Sequence, residues 1–272
     1  YGWLYDNVFL ISNRMFRHFN FYFGCGILLI VVLASLLAPI LAPYSPEEMF
    51  VGPRLSPPQW AYPFGTDMIG RDVLSRVIHG ASLTLYVGAI AVGIGLSCGM
   101  LIGLTAGYST NWLQGALMRT IDVIYSFPDI LIALALVAFL GPSLRNAMIA
   151  VGISVIPFFA RITYSIVVVE RNKPYFDSGK VIGASRLRLI FCYLLPNIIP
   201  SLIVIGSLGF SHAVLSAAGL SFLGLGAQPP LPEWGALLAD GRNYIRKAPW
   251  LMFFPGISII LVVLAFNMIG DT

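Results

Sequence analysis

Long apolar runs broken by short polar segments set the pattern of this chain. A hydrocarbon layer about 30 Å thick takes roughly 20 apolar residues at 1.5 Å of helical rise each. Runs of that length predict six helices: Phe21–Ala42, Ser82–Ala106, Leu117–Leu140, Asn146–Val169, Pro196–Gly219 and Trp250–Ile269. Pro43 ends the first, Gly107–Asn111 makes a turn after the second, and Gly141-Pro142 closes the third. A polar segment rich in proline and tryptophan follows Tyr44, and Gln228–Pro249 precedes the last helix. The runs are too long and continuous for barrel strands, so the expected fold class is an all-α integral membrane protein.

Composition supports lipid as the solvent. Of 272 residues, 58% are hydrophobic and 10% charged, with mean hydropathy +0.85; soluble domains carry about 25% charged residues. This leaves room for one transmembrane domain over 1–272 and no separate soluble one. The chain opens at Tyr1 without methionine and stops at Asp271-Thr272, so both ends are expected to be incomplete. The net charge of +4 is small, and the basic residues interrupt apolar runs without forming a nucleic-acid stripe. The lipid surface and a partner protein are the expected contacts, and nucleic acid is not. Cys25, Cys98 and Cys192 show no metal-ligand spacing, and the first two lie in apolar runs and read as small hydrophobes, so no metal site is expected.

With a cytoplasmic N-terminus bearing Arg14, Arg17 and His18, six spans place the charged island Glu170–Arg188 on the same side. Tyr44–His79 and Gln228–Lys247 then lie outside. Basic residues are nearly balanced across the two sides, so charge alone fixes this weakly.

The island contains Asp177-Ser-Gly-Lys-Val-Ile-Gly183, followed at fixed distance by Leu195-Pro196-Asn197. Any six-helix protein has polar loops, but this joint spacing is specific. It resembles the coupling motif of ABC importer permeases: Glu-Ala-Ala, three residues, Gly, nine residues, then a hydrophobic residue, any residue and Leu-Pro. Asp177, Ser178, Gly179, Gly183, Leu195 and Pro196 fall at those positions, flanked by Ala184 and Ser185. The departures are Asp for Glu and Ser-Gly for Ala-Ala; Ser and Gly form helix less readily than Ala.

Phe64-Gly-Thr-Asp67, Gly70–Arg76, Gly219–Pro230, Glu233-Trp234-Gly235 and Ala265–Asp271 extend the likeness over nearly the whole chain. They resemble the dipeptide, oligopeptide and nickel branch of that family, in its second (C-type) permease subunit. The resemblance implies a type I importer permease fold, with two short cytoplasmic coupling helices over about 170–195 and Gly183 permitting the turn between them. It further implies a homologous second permease, two ATPase subunits that bind ATP and Mg, and an extracytoplasmic substrate-binding protein. The setting would be a prokaryotic inner (plasma) membrane. No cofactor or catalysis is expected in this chain, which has no Gly-Lys-Ser/Thr phosphate loop. The substrate stays open between a di- or oligopeptide and a nickel or metal chelate.

Several polar residues sit at membrane depth, where they are costly. Arg119 and Asp122 are three apart on one helix and are expected to pair structurally. Ser126-Phe-Pro-Asp129 reads as a restarted half-helix, with Ser126 capping and Asp129 complementing the dipole. Asp129 and His212 are the candidate substrate-pathway groups, against the plainer roles of capping and interhelical hydrogen bonding. Val73, Leu74, Val77 and Ile78, with Arg71, Asp72 and Arg76, suggest an amphipathic helix at the interface. The glycines Gly88, Gly93, Gly95, Gly99 and Gly103 suggest close helix packing. A proton-driven secondary transporter using Asp129, Arg161 and His212 is the alternative of another class, and a non-transporting membrane subunit a third.

Overall fold

The computed structural model describes residues 20–109 and 112–271. The basic cluster Arg14, Arg17 and His18 lies outside these residues, as does Asn111 of the expected turn. Helices fill all six expected positions, with bounds and breaks that differ in detail. They are α1 (Asn20–Leu36), α2 (Ala38–Leu41), α3 (Val73–Tyr108), α4 (Trp112–Tyr125), α5 (Asp129–Leu140), α6 (Leu144–Ser154) and α7 (Ile156–Glu170). After these come α8 (Pro174–Val181), α9 (Arg186–Arg188), α10 (Leu195–Phe222), α11 (Trp234–Gly241) and α12 (Trp250–Gly270).

Four stretches are long and apolar enough to cross a membrane: Val73–Tyr108, Leu144–Glu170, Arg186–Phe222 and Trp250–Gly270. Helices α4 and α5, bent by 85° at the break between them, make a fifth if the pair is counted as one span, so among the described residues four or five spans stand where six were expected. The first predicted span is shorter than expected, ending at Leu36 with one further turn in α2.

Helix α3 is the axis of the fold. Its 36 residues reach about 54 Å at 1.5 Å per residue. It lies against α7 along a ladder of glycines. A Cβ on Gly99 would stand 2.8 Å from the Ala160 amide nitrogen, and one on Gly103 would stand 2.6 Å from the Ala160 carbonyl oxygen. Gly95 and Gly107 continue the same contact one turn to either side, whereas Gly88 packs on Phe210 of α10. Gly93 differs from the expectation: it faces open space, because it lies off the ladder's four-residue repeat.

At one end, α3, α10, α11 and α12 share a core around Val77, Val214, Trp234 and Leu251. Trp234 donates its indole N–H to the Val77 carbonyl at 2.9 Å, and Phe64 stacks on Phe254 at 3.7 Å. Glu233 caps α11, accepting from the Gly235 and Ala236 amides at 3.0 Å each. Burial pushes its carboxyl above the ordinary range, against those hydrogen bonds.

The interfacial amphipathic helix expected over residues 73–78 is instead the first part of α3. Arg71 and Arg76 are 4% and 3% exposed and hold a buried cluster with Asp67 and Asp240. Asp67 accepts from Arg71 Nε at 2.6 Å and from Arg76 Nη1 at 3.0 Å. The acids pair both guanidinium groups away from water, although Arg76 Nε has no hydrogen-bond partner; deleting one partner of such a cluster costs about 3–5 kcal/mol.

Candidate functional site

The charged island folds at the opposite end of α3. Pro174 opens α8, where its missing N–H costs nothing. At the far end, the Gly183 amide donates to Lys180 O at 3.0 Å and the Ala184 amide to Gly179 O at 3.1 Å. This pair of bonds is a Schellman motif, which requires a left-handed residue, and Gly183 has φ +81°. Ser185 then caps α9, accepting from the Arg188 amide at 3.4 Å. One short helix, α8, is thus joined at Gly183 to α9, which is the first turn of a longer helix rather than the second separate short helix expected.

One face of α8 is buried. Phe176 is 1% exposed and packs with Leu189, Leu194 and Ile198. Gly179 lets α8 approach the next segment, since a Cβ there would stand 2.9 Å from Leu189 and 3.2 Å from Tyr193. Tyr175 ties the helix to the bundle through a 2.8 Å hydrogen bond to Glu170 and a contact with Asn197. Burial, reinforced by the Glu170 carboxylate, pushes the Tyr175 phenol up to about 12, so it stays a donor. Tyr175 flanks the motif in the sequence, whereas Phe176 and Leu194, which carry much of this packing, were not singled out there; the spacing of Phe176 and Gly179 on one face was the available signal.

The fifth helix, expected to begin near Pro196, begins earlier. The chain runs as one helix from Arg186 through Phe222, with a π-helical stretch, Leu189–Leu194, before the proline. Pro196 has no N–H and crowds the preceding turn, and the widened turn relieves both effects. The Leu195 amide reaches back to Ile190 O, and Asn197 donates its side-chain amide to Tyr193 O at 2.6 Å.

The other face of the island is open. Asp177 and Lys180 form an exposed pair at 2.9 Å. Val181, Ile182 and Leu187 are 87%, 73% and 67% exposed, an apolar group set among Arg186 and Arg188. Ser178, Gly183 and Ser185 lie on this exposed side with them.

Mid-bundle, the expected break at Ser126–Pro128 is present, but Ser126 does not cap α5. Its hydroxyl donates to Val123 O at 2.7 Å, and Pro128 occupies the capping position. Asp129 opens α5, where its charge suits the helix dipole. The expected Arg119–Asp122 pair is replaced: Asp122 accepts from Arg161 of α7 at 3.0 Å. That guanidinium also lies 5.8 Å from the Tyr125 ring, so interhelical packing outcompetes the i, i+3 pairing. The structure brings Asp129 and His212 together, with Nδ1 3.6 Å from Oδ2. A second break, at Val155 before Pro157, lines the same region and was not read from the sequence, although Pro157 signalled it.

The family model for the inner membrane component of binding-protein-dependent transport systems matches residues 99–272, well over half the chain. The chain belongs to that family. A second model, the N-terminal transmembrane domain of oligopeptide transport permease C, matches residues 10–58. The di/tripeptide transport system permease DppC of Pseudomonas aeruginosa is 46% identical, covering 91% of this chain and 84% of that protein. The dipeptide transport system permease DppC of Escherichia coli K12 is 43% identical over 91% and 85%. Among solved structures, a chain of the methionine ABC transporter MetNI in an inward-facing conformation aligns with TM-score 0.58 and 20% identity. It covers 73% of this permease and 93% of its own chain, a likeness of fold. This permease is therefore a multi-pass membrane protein with the helical fold of an ABC importer permease, resolving the fold and membrane class in the direction the coupling motif indicated.

Proposed function

We propose that this permease is the second translocating subunit of an ATP-driven importer of di- or oligopeptides. The observation that carries this reading is identity of 43–46% along nine-tenths of the chain to permeases named for dipeptide or di/tripeptide transport. In this reading a homologous second permease completes the pore. Two ATPase subunits, binding ATP and Mg, dock under the island, and an extracytoplasmic binding protein delivers substrate at the opposite end. This chain then performs no hydrolysis of its own.

The island geometry supports the mechanism. Asp177, Ser178, Gly183 and Ser185 present an open face, while Gly179, Phe176, Ala184 and Leu195 seat its back on α10. Tyr175 and the continuous helix through Pro196 connect that seat to the spans. Motion applied to α8 and α9 would thus pass into α10 through packed side chains and backbone. The chain acts as a lever between ATP hydrolysis and access.

Reconstitution tests the proposal. Proteoliposomes holding both permeases and both ATPases are expected to accumulate dialanine only with ATP and loaded binding protein. This chain alone, in a proton gradient, is expected to accumulate none. Accumulation by the chain alone would replace the importer with the secondary transporter.

A further inference from the structure

The bend between α4 and α5 and the turn at Val155 between α6 and α7 border one open cavity. With the face of α10 they line a volume of about 560 Å³. Small-molecule sites are typically about 300–1,000 Å³, mostly apolar, with a few convergent polar groups. This cavity matches that description. Tyr125, Phe127 and Phe158 supply aromatic wall, Ser154 a hydroxyl, and Asp129 and His212 the ionisable groups.

Asp129 is the unusual member. No protein hydrogen bond to it is present among the described residues, and its Oδ2 is shielded from solvent yet without a hydrogen-bonding partner. Its side chain caps nothing. His212 stands 3.6 Å away, too far for a hydrogen bond between the two. Arg161 is engaged by Asp122 at 3.0 Å and does not line the cavity. The Asp129 side chain is 35% exposed, so the carboxylate faces the open cavity while its shielded Oδ2 lacks a donor.

We propose that Asp129 and His212 form a receiving site for the α-ammonium group of a translocating short peptide. The inference rests on the peptide-importer reading above. One ammonium nitrogen placed in the gap lies within hydrogen-bond distance of both Oδ2 and Nδ1, with imidazole Nδ1 as acceptor and the proton on Nε2. The ammonium's three donors match two fixed acceptors and leave one free for Ser154 or water. The aromatic side chains offer apolar surface to the adjoining peptide side chain. Main-chain ends are common to all short peptides, so such a site is indifferent to side-chain identity.

The test is dialanine uptake by the complete importer in proteoliposomes, with binding-protein-stimulated ATP hydrolysis measured alongside. Asp129→Asn keeps shape and removes charge, and is expected to lower uptake about tenfold or more, the scale of a hydrogen bond to a charged group. ATP hydrolysis should keep its stimulation. Asp129→Glu is expected to restore part of the uptake. His212→Leu should fall about as far as Asp129→Asn, while His212→Gln, which keeps an acceptor, should retain most of it. Normal uptake in both Asp129→Asn and His212→Leu would overturn the site and leave the importer intact. Loss of complex assembly in Asp129→Asn with normal uptake in His212→Leu would also overturn it, making the pair an interface element. A wild-type importer that takes up no dialanine would remove the peptide reading itself, and this site with it.

Discussion

Gly183→Arg is expected to abolish ATP-driven uptake and the stimulation of ATP hydrolysis, while the protein still inserts in the membrane. Gly183 has φ +81° and closes the Schellman motif between α8 and α9. A residue with a Cβ costs about 1–2 kcal/mol in that region of backbone space. Within this chain a Cβ there meets nothing within 4 Å, so the bundle itself has room for the substitution. The damage falls on the exposed face beside Ile182 and Leu187, where a long cation would stand between the island and whatever docks on it. Gly183→Asn separates the two effects, because asparagine tolerates left-handed backbone and is small; it is expected to retain most uptake. Comparison of uptake and ATPase stimulation in the two variants checks this. Undiminished uptake in the arginine variant would remove Gly183 from the coupling face.

Gly99→Leu is expected to prevent assembly of a stable folded permease. Its Cβ would stand 2.5 Å from Phe159 Cβ, 2.8 Å from Ala160 N and 2.9 Å from Ile156 O, so backbone must move. The helices α3 and α7 cannot separate locally, because Gly95, Gly103 and Gly107 hold the same contact above and below. Overpacking of this kind costs about 1–3 kcal/mol or more, and in lipid close packing is itself the main attraction between helices. Gly93→Leu, on the same helix but facing open space, is the control and is expected to leave stability unchanged. Thermal unfolding of the purified variants in detergent checks the contrast. Equal midpoints would mean that the glycine ladder does not hold α3 to α7.

The spans were legible because lipid imposes a length and an apolar composition that show directly in the sequence. Pro128 and Gly183 were legible for a local reason: one lacks an N–H, and the other fits a backbone conformation other residues resist. What was hidden depended on partners far along the chain. The order of charges around Val73–Ile78 is the same for an interfacial helix as for the first turns of a span. Only the approach of Asp240 to Arg71 and Arg76 decides between them. Likewise, Arg119 and Arg161 were both available to Asp122, and helix packing selected the second. The four-residue glycine spacing was visible, but which members faced α7 was not, so Gly93 was grouped with the ladder it stands outside. Asp129 and His212 were each identifiable as costly residues at depth; their meeting across the cavity required the two helix breaks to be placed.

The central claim is that the island receives the ATPase. The most direct measurement is cysteine cross-linking in the assembled importer, with Cys25, Cys98 and Cys192 replaced by serine or alanine. Cysteines introduced at Ile182 and Leu187 are predicted to form adducts with an ATPase subunit whose yield changes on addition of ATP. A cysteine at Trp60, at the opposite end and fully exposed, is predicted to form none. ATPase adducts at Trp60, with none at Ile182 or Leu187, would contradict the account.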